Sequence, residues 1–202
     1  MKKFLILCFA AVLLFCSASA RAQELTQAEK DKAMAYLEST KKALHDAVKD
    51  LSPAQLNFKS APDRWSIAQC LEHIAATEDT LRGLVTDQVM KSPAAPDRDV
   101  KKIDESVLAM IPDRSHKAQA PEPLKPTDRF GSPEGSMKHF VESRAKTEDL
   151  LRNTPDLRQH AMDSPLGMKL DGYDWILFIA AHSERHTKQI NEVKADPNFP
   201  KS

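Results

Sequence analysis

Two histidines, His182 and His186, stand one helical turn apart in the segment 172–195. With Trp175 at zero and about 100° per residue, Trp175, Ile179, His182, His186, Ile190 and Val193 fall within roughly 60° of one another. Glu184 lies on the opposite side, and Ala180 nearly so. The two imidazoles are therefore central to an apolar stripe, where ring nitrogens without partners are costly. One shared metal ion would satisfy both, because side chains four apart on a helix can converge on a single ion. The competing reading gives each ring its own hydrogen bonds inside the core.

The chain has seven histidines, and the other five are placed less decisively. In the segment that opens at Ile67, the residues Ile67, Cys70, Leu71, Ile74, Leu81 and Val85 define an apolar face. His73 sits about 100° from its centre, at an edge with Thr77 and Leu84, where it either faces a neighbouring helix or stands half exposed. His45 and His139 flank apolar faces and read as boundary residues, while His116 and His160 lie in connections and are predicted to be solvated. The pattern is not the H-E-x-x-H of metalloproteases, since Ser183 follows His182 and Glu184 points away. Cys70 lies one turn before His73 but nearer the apolar centre, so it reads as a core filler.

The elements that carry these residues are helices. Thr26 and Glu29 form a capping box, and Met34, Leu37, Leu44, Val48 and Leu51 recur at helical spacing, predicting a first helix over about 27–50. Ser52-Pro53 closes it, and a polar stretch leads to Arg64. Ser66 with Gln69 opens a second helix at Ile67, running to about Lys91. Ser132-Pro133 caps a third over about 133–153, with Phe140, Arg144, Thr147 and Leu151 along its face. Residues 154–170 form another connection, and Asp171 with Asp174 caps a fourth helix over about 172–195, ended by Pro197. Residues 92–131 hold six of the thirteen prolines and only one short amphipathic piece, Val100–Ile111. A connection this long in a compact domain is usually functional or disordered. Four long helices with two extended connections read as an all-α four-helix bundle over residues 26–195.

Composition narrows the function. The 29 basic and 29 acidic side chains balance, which argues against a nucleic-acid binder. Five glycines and 6% aromatic residues make an all-β fold a poor fit. Lys2 and Lys3, the apolar run Phe4–Phe15 and Ala20-Arg21-Ala22 match a secretory signal peptide over residues 1–22, with a secreted or periplasmic mature chain. The run is shorter than the ~20 residues of a membrane span, and no second apolar run follows, so no span is expected after cleavage. Phe15 before Cys16 fits a lipoprotein site poorly. Cleavage deletes Lys2, Lys3 and Arg21 and no acid, leaving 26 basic against 29 acidic side chains, a charge of −3. It also leaves Cys70 as the sole thiol, so packing or a metal must take the place of a disulfide.

Two stretches resemble the DinB-like superfamily, the damage-inducible four-helix proteins. Arg64-Trp65-Ser66-Ile67-Ala68-Gln69-Cys70-Leu71-Glu72-His73-Ile74 resembles its W-S-x-x-x-x-x-x-H segment, and His182-Ser183-Glu184-Arg185-His186-Thr187-Lys188-Gln189-Ile190 its H-x-x-R-H-x-x-Q-I segment. The resemblance covers about residues 26–195 and implies a bundle with an unusual helix order. It implies a divalent metal on His73, His182 and His186, and it raises the edge histidine to a ligand. Members with this triad include transferases that use bacillithiol or mycothiol, and a maleylpyruvate isomerase. Relatives also form homodimers, for which the exposed faces here offer no clear apolar seam. Those thiols are cytoplasmic, so for an exported chain fold and ligand set do not fix the reaction.

Two functions follow. The first is a metal-dependent hydrolase or thiol transferase acting on a small molecule. Three imidazoles would leave zinc, nickel or iron an open coordination position beneath the 92–131 connection. Glu78 and Gln189 are candidates to orient the ligands. No general base stands out, and Glu72 points about 100° away from His73 and is assigned no role. The second is a non-catalytic periplasmic binding module, in which His139 or a carboxylate would fill the fourth position.

Overall fold

Capping fixes where the helices begin. The computed structural model describes residues 24–201, so the predicted leader over 1–22, with Cys8 and Cys16, lies outside the described residues. The helices are α1 (Gln27–Val48), α2 (Pro53–Asn57), α3 (Ile67–Asp87), α4 (Val100–Met110), α5 (Pro133–Asn153) and α6 (Gly172–Lys194). Complete capping boxes open α1, α2, α3 and α6, and the Ser132 hydroxyl accepts from Gly135 N at the start of α5. Each cap satisfies amides that the first turn leaves without partners. Among the described residues no helix is long and apolar enough to cross a membrane.

The four long helices close a ring in the order α1, α6, α3, α5, with α4 laid against α6. Sequence neighbours α1 and α3 are thus diagonal, which requires long connections rather than tight turns. Four local expectations are corrected. The polar stretch after Ser52 contains α2, whose five residues are too few to show a period. The second long helix stops at Asp87 and continues as a 3-10 turn, Val89–Lys91. The 154–170 connection holds a hairpin, β1 (Ala161–Asp163) antiparallel to β2 (Lys169–Asp171), with Met162 opposite Leu170 and a turn through Gly167 at φ 72°. His160 is half buried rather than solvated, because its Nδ1 donates to Ser92 O at 2.6 Å. His116 is exposed, as expected.

The core is two apolar clusters separated by a polar layer. One contains Leu37, Val85, Leu151 and Ile179, and the other Leu44, Ile74, Phe140 and Ile190. Between them lies Arg144 of α5, fully buried. Its guanidinium donates to Glu78 of α3 at 2.7 and 2.9 Å, to Leu37 O and Thr40 Oγ1 of α1 at 2.6 and 3.0 Å, and to Ser183 Oγ of α6 at 2.9 Å. These five bonds match the five N–H groups of arginine. The layer also explains why α6 has no solvated stripe at Ala180. Ala180, Ala181, Ser183 and Thr187 are buried, α1 packs along α6, and Glu184 accepts from Tyr36 Oη at 2.6 Å.

A second buried guanidinium locks the other end. Arg158 donates to Glu29 at 2.7 Å, Asp104 at 2.8 Å and Asp171 at 3.2 Å, joining α1, α4 and the cap of α6. Burial and the neighbouring Asp171 charge hold the Asp174 carboxyl well above the usual range.

Arg144→Met leaves the Glu78 charge without its partner in a dry interior. Urea unfolding should record a loss of about 3–5 kcal/mol, and the double variant Arg144→Met/Glu78→Leu should recover most of it. Equal losses in the single and double variants would contradict this account.

Candidate metal centre

The α3–α6 contact brings three imidazoles together. His73 projects from α3, and His182 and His186 from one face of α6. One ring nitrogen from each lies within 4.8 Å of those of the other two. The ring centroids are 4.4 to 4.9 Å apart, and the Trp65 indole closes one side at 4.8 Å from His73 and 6.2 Å from His186.

What the rings can do depends on where their protons sit. His73 Nδ1 lies 2.8 Å from Leu124 O, an atom that only accepts, so Nδ1 carries the proton and Nε2 is bare. His186 Nδ1 donates to Gln189 Oε1 at 2.9 Å and leaves its own Nε2 bare. His73 Nε2 is 3.1 Å from His182 Nε2, a separation that requires a shared proton or a shared cation between them. Burial lowers the pKa of His73, and burial followed by the neighbouring rings takes His182 and His186 well below 6.5. Neutral imidazoles with converging lone pairs are the state a metal ion requires.

The Pro-rich connection orders this arrangement. Leu124 belongs to a 3-10 turn, Glu122–Leu124. Glu72, assigned no role from its wheel position, anchors the chain that follows. Its carboxylate accepts from the amides of Thr127, Asp128 and Arg129 at 2.7, 2.8 and 3.2 Å, and from Arg129 Nε at 3.0 Å. Asp128 adopts φ 64°, which turns successive amides toward one anion. Burial raises the Glu72 pKa, and these bonds outweigh it and bring the carboxyl below its ordinary value. Arg129 in turn donates to Pro123 O and Lys125 O on either side of Leu124. The wheel was right that Glu72 does not face the imidazole. It holds the loop that does, through main-chain amides that no side-chain pattern in the sequence marks.

On the far side, Arg185 donates to Ile111 O at 3.3 Å, to His116 O at 2.6 Å and to Asp113 O, clasping the connection to α6. Glu78 is corrected: it belongs to the Arg144 layer and not to the histidines. Gln189 lies where expected, on His186. Cys70 is fully buried, and burial pushes its thiol up to about 12, so it is a core residue. His139 pairs with Asp79 and stacks on Phe130 at 4.2 Å, and it does not fill a fourth position. Among the described residues the cluster contains three histidines and no further histidine, cysteine or carboxylate. His45 is exposed on α1.

The family model of the DinB superfamily matches residues 36–190. The chain belongs to the DinB superfamily. It is 30% identical over 152 residues to the uncharacterized protein YuaE of Bacillus subtilis strain 168, covering 73% of this chain and 88% of that one. In structure this DinB protein resembles YfiT from Bacillus subtilis at a TM-score of 0.55 and 20% identity, over 87% of this chain and 91% of YfiT. YfiT is described as a probable metal-dependent hydrolase with an unusual four-helix bundle topology, and the likeness shows that the two share a fold.

The neutral triad sets a pH dependence for the metal-free DinB protein. The fold keeps these imidazoles uncharged while the unfolded chain protonates them near 6.5, so the unfolded state binds more protons and stability falls as pH drops below that value. The slope should reach up to about 1.4 kcal/mol per pH unit for each imidazole. Urea midpoints of the stripped protein at about pH 7.5 and about pH 5.5 measure it. The variant His182→Asn/His186→Asn should show a shallower dependence, and an equal one would refute the assignment.

Proposed function

We propose that His73, His182 and His186 hold one divalent metal ion through Nε2, and that the protein is an exported metal-dependent hydrolase of a small molecule. The observation that carries the reading is the pair of committed Nδ1 protons. Leu124 O and Gln189 Oε1 take the Nδ1–H groups of His73 and His186, which leaves their Nε2 atoms bare. Burial keeps the rings neutral, and His182 reaches the same point from one turn away. The description of YfiT as a probable metal-dependent hydrolase supports the same chemistry.

Zinc, nickel and ferrous iron all suit imidazole donors. When bound by three protein ligands, such an ion supplies Lewis acidity and keeps a coordination position for substrate. The chain's own residues then have distinct tasks. Trp65 shields His73 and His186 from one side. Glu72 and Arg129 keep the Leu124 carbonyl on His73. The Arg185 clasp keeps the connection against α6.

The deciding experiment is elemental analysis of the untagged chain lacking residues 1–22, loaded in turn with zinc, nickel and iron. About one ion per chain is expected for three-histidine sites, and its loss in both His73→Ala and His182→Ala. The metal that binds is then assayed against a panel of esters and amides. No metal in the wild type under any loading would overturn the proposal.

Glu72→Ala tests the loop that orients His73. It should weaken zinc binding by about 10–100-fold, the usual effect of losing a group that orients a ligand. Competition with a chromophoric chelator gives the affinity, and an unchanged value would remove Glu72 from the site.

A further inference from the structure

The segment after α4 returns to α6 through one side chain. Arg114 Nε and Nη2 donate to Glu192 Oε1 and Oε2 at 2.6 and 2.7 Å, a two-point grip that sets the plane of the guanidinium. Its Nη1 donates to Gln189 Oε1 at 3.2 Å. The same oxygen accepts from His186 Nδ1 at 2.9 Å.

A carboxamide has an accepting end and a donating end that exchange by a flip. With the oxygen toward His186, the ring proton stays on Nδ1 and Nε2 is bare. With the amide turned over, its NH2 would donate to Nδ1, and the ring proton would move to Nε2, the nitrogen that the three-histidine reading needs bare. Arg114 decides between the two. A guanidinium only donates, so the turned amide would set N–H against N–H.

We propose that Arg114, gripped by Glu192, is a positioning residue that selects the Nδ1–H tautomer of His186 through the Gln189 carboxamide. The consequence for metal affinity rests on the three-histidine reading above, whereas the tautomer is a property of the metal-free chain. The pair sits near the surface, with side-chain exposures of 19% for Arg114 and 56% for Glu192, so its loss should scarcely change global stability. The role is thereby separable from a merely structural one.

The test uses the mature chain with Arg114→Met, Glu192→Gln, Gln189→Met and the double variant Arg114→Met/Gln189→Met. Nitrogen NMR of ring-labelled histidines reads the tautomer of metal-free protein, chelator competition reads zinc affinity, and urea midpoints read stability. The wild-type His186 ring should be the Nδ1–H form. Arg114→Met and Glu192→Gln should mix the tautomers with unchanged midpoints, and Arg114→Met should weaken zinc binding by about 10-fold. On the Gln189→Met background, Arg114→Met should cost nothing further, because the carboxamide through which it acts is gone. An unchanged His186 tautomer in Arg114→Met, or a full affinity loss repeated on the Gln189→Met background, would overturn the proposal. If the wild type binds no zinc, the metal reading fails by itself and the NMR comparison alone decides this one.

Discussion

Arg144 carries a permanent charge to the middle of the bundle, and all four long helices are arranged to receive it. A buried guanidinium is tolerated only when every donor is met, and here Glu78, Thr40, Ser183 and the Leu37 carbonyl meet them. That requirement fixes the rotation and height of α1, α3 and α6 about α5 more sharply than apolar packing, which tolerates sliding. The two apolar clusters above and below then have no freedom of register.

The histidine cluster inherits this alignment. Ser183, which meets Arg144, is the neighbour of His182, and Glu78 lies on the same helix as His73. Fixing Ser183 and Glu78 against one another therefore fixes the faces of α6 and α3 from which the imidazoles project. Helix α3 divides its polar residues by direction: Glu78 inward to the guanidinium, His73 to α6, and Glu72 outward to the connection. A helix can serve three partners because successive side chains point about 100° apart.

The sequence discloses what faces the core and is silent on what bonds to the main chain. The caps, the four long helices and the positions of His182 and His186 in a buried stripe all follow from side-chain periodicity and capping residues. His73 is ambiguous from the wheel alone, because an edge position becomes buried only when the ring order of the helices is known. Arg144 shows on the face of its helix, but its partner is invisible: Glu78 is separated from it by 66 residues and reads equally well as a group near the histidines. Glu72 is missed for a different reason. Its partners are backbone amides, which every residue but proline possesses, so no side-chain pattern marks them. The same holds for Leu124, whose carbonyl and not its side chain acts on His73.

This explains how the proline-rich stretch after α4 is ordered. Prolines restrict the backbone before folding and reduce the entropy lost on docking. Two anchors hold it, the Glu72 carboxylate and the Arg185 clasp, while α4 before it is fixed by Val107 and Ile111 in the core and by Asp104 on Arg158. Each anchor is a charged group working on main-chain atoms. The connection is consequently ordered by the same contacts that place ring protons. Three imidazoles meeting at an α3–α6 contact, with two Nε2 atoms 3.1 Å apart, are a polar cluster that packing alone does not call for, and such departures concentrate where a protein works.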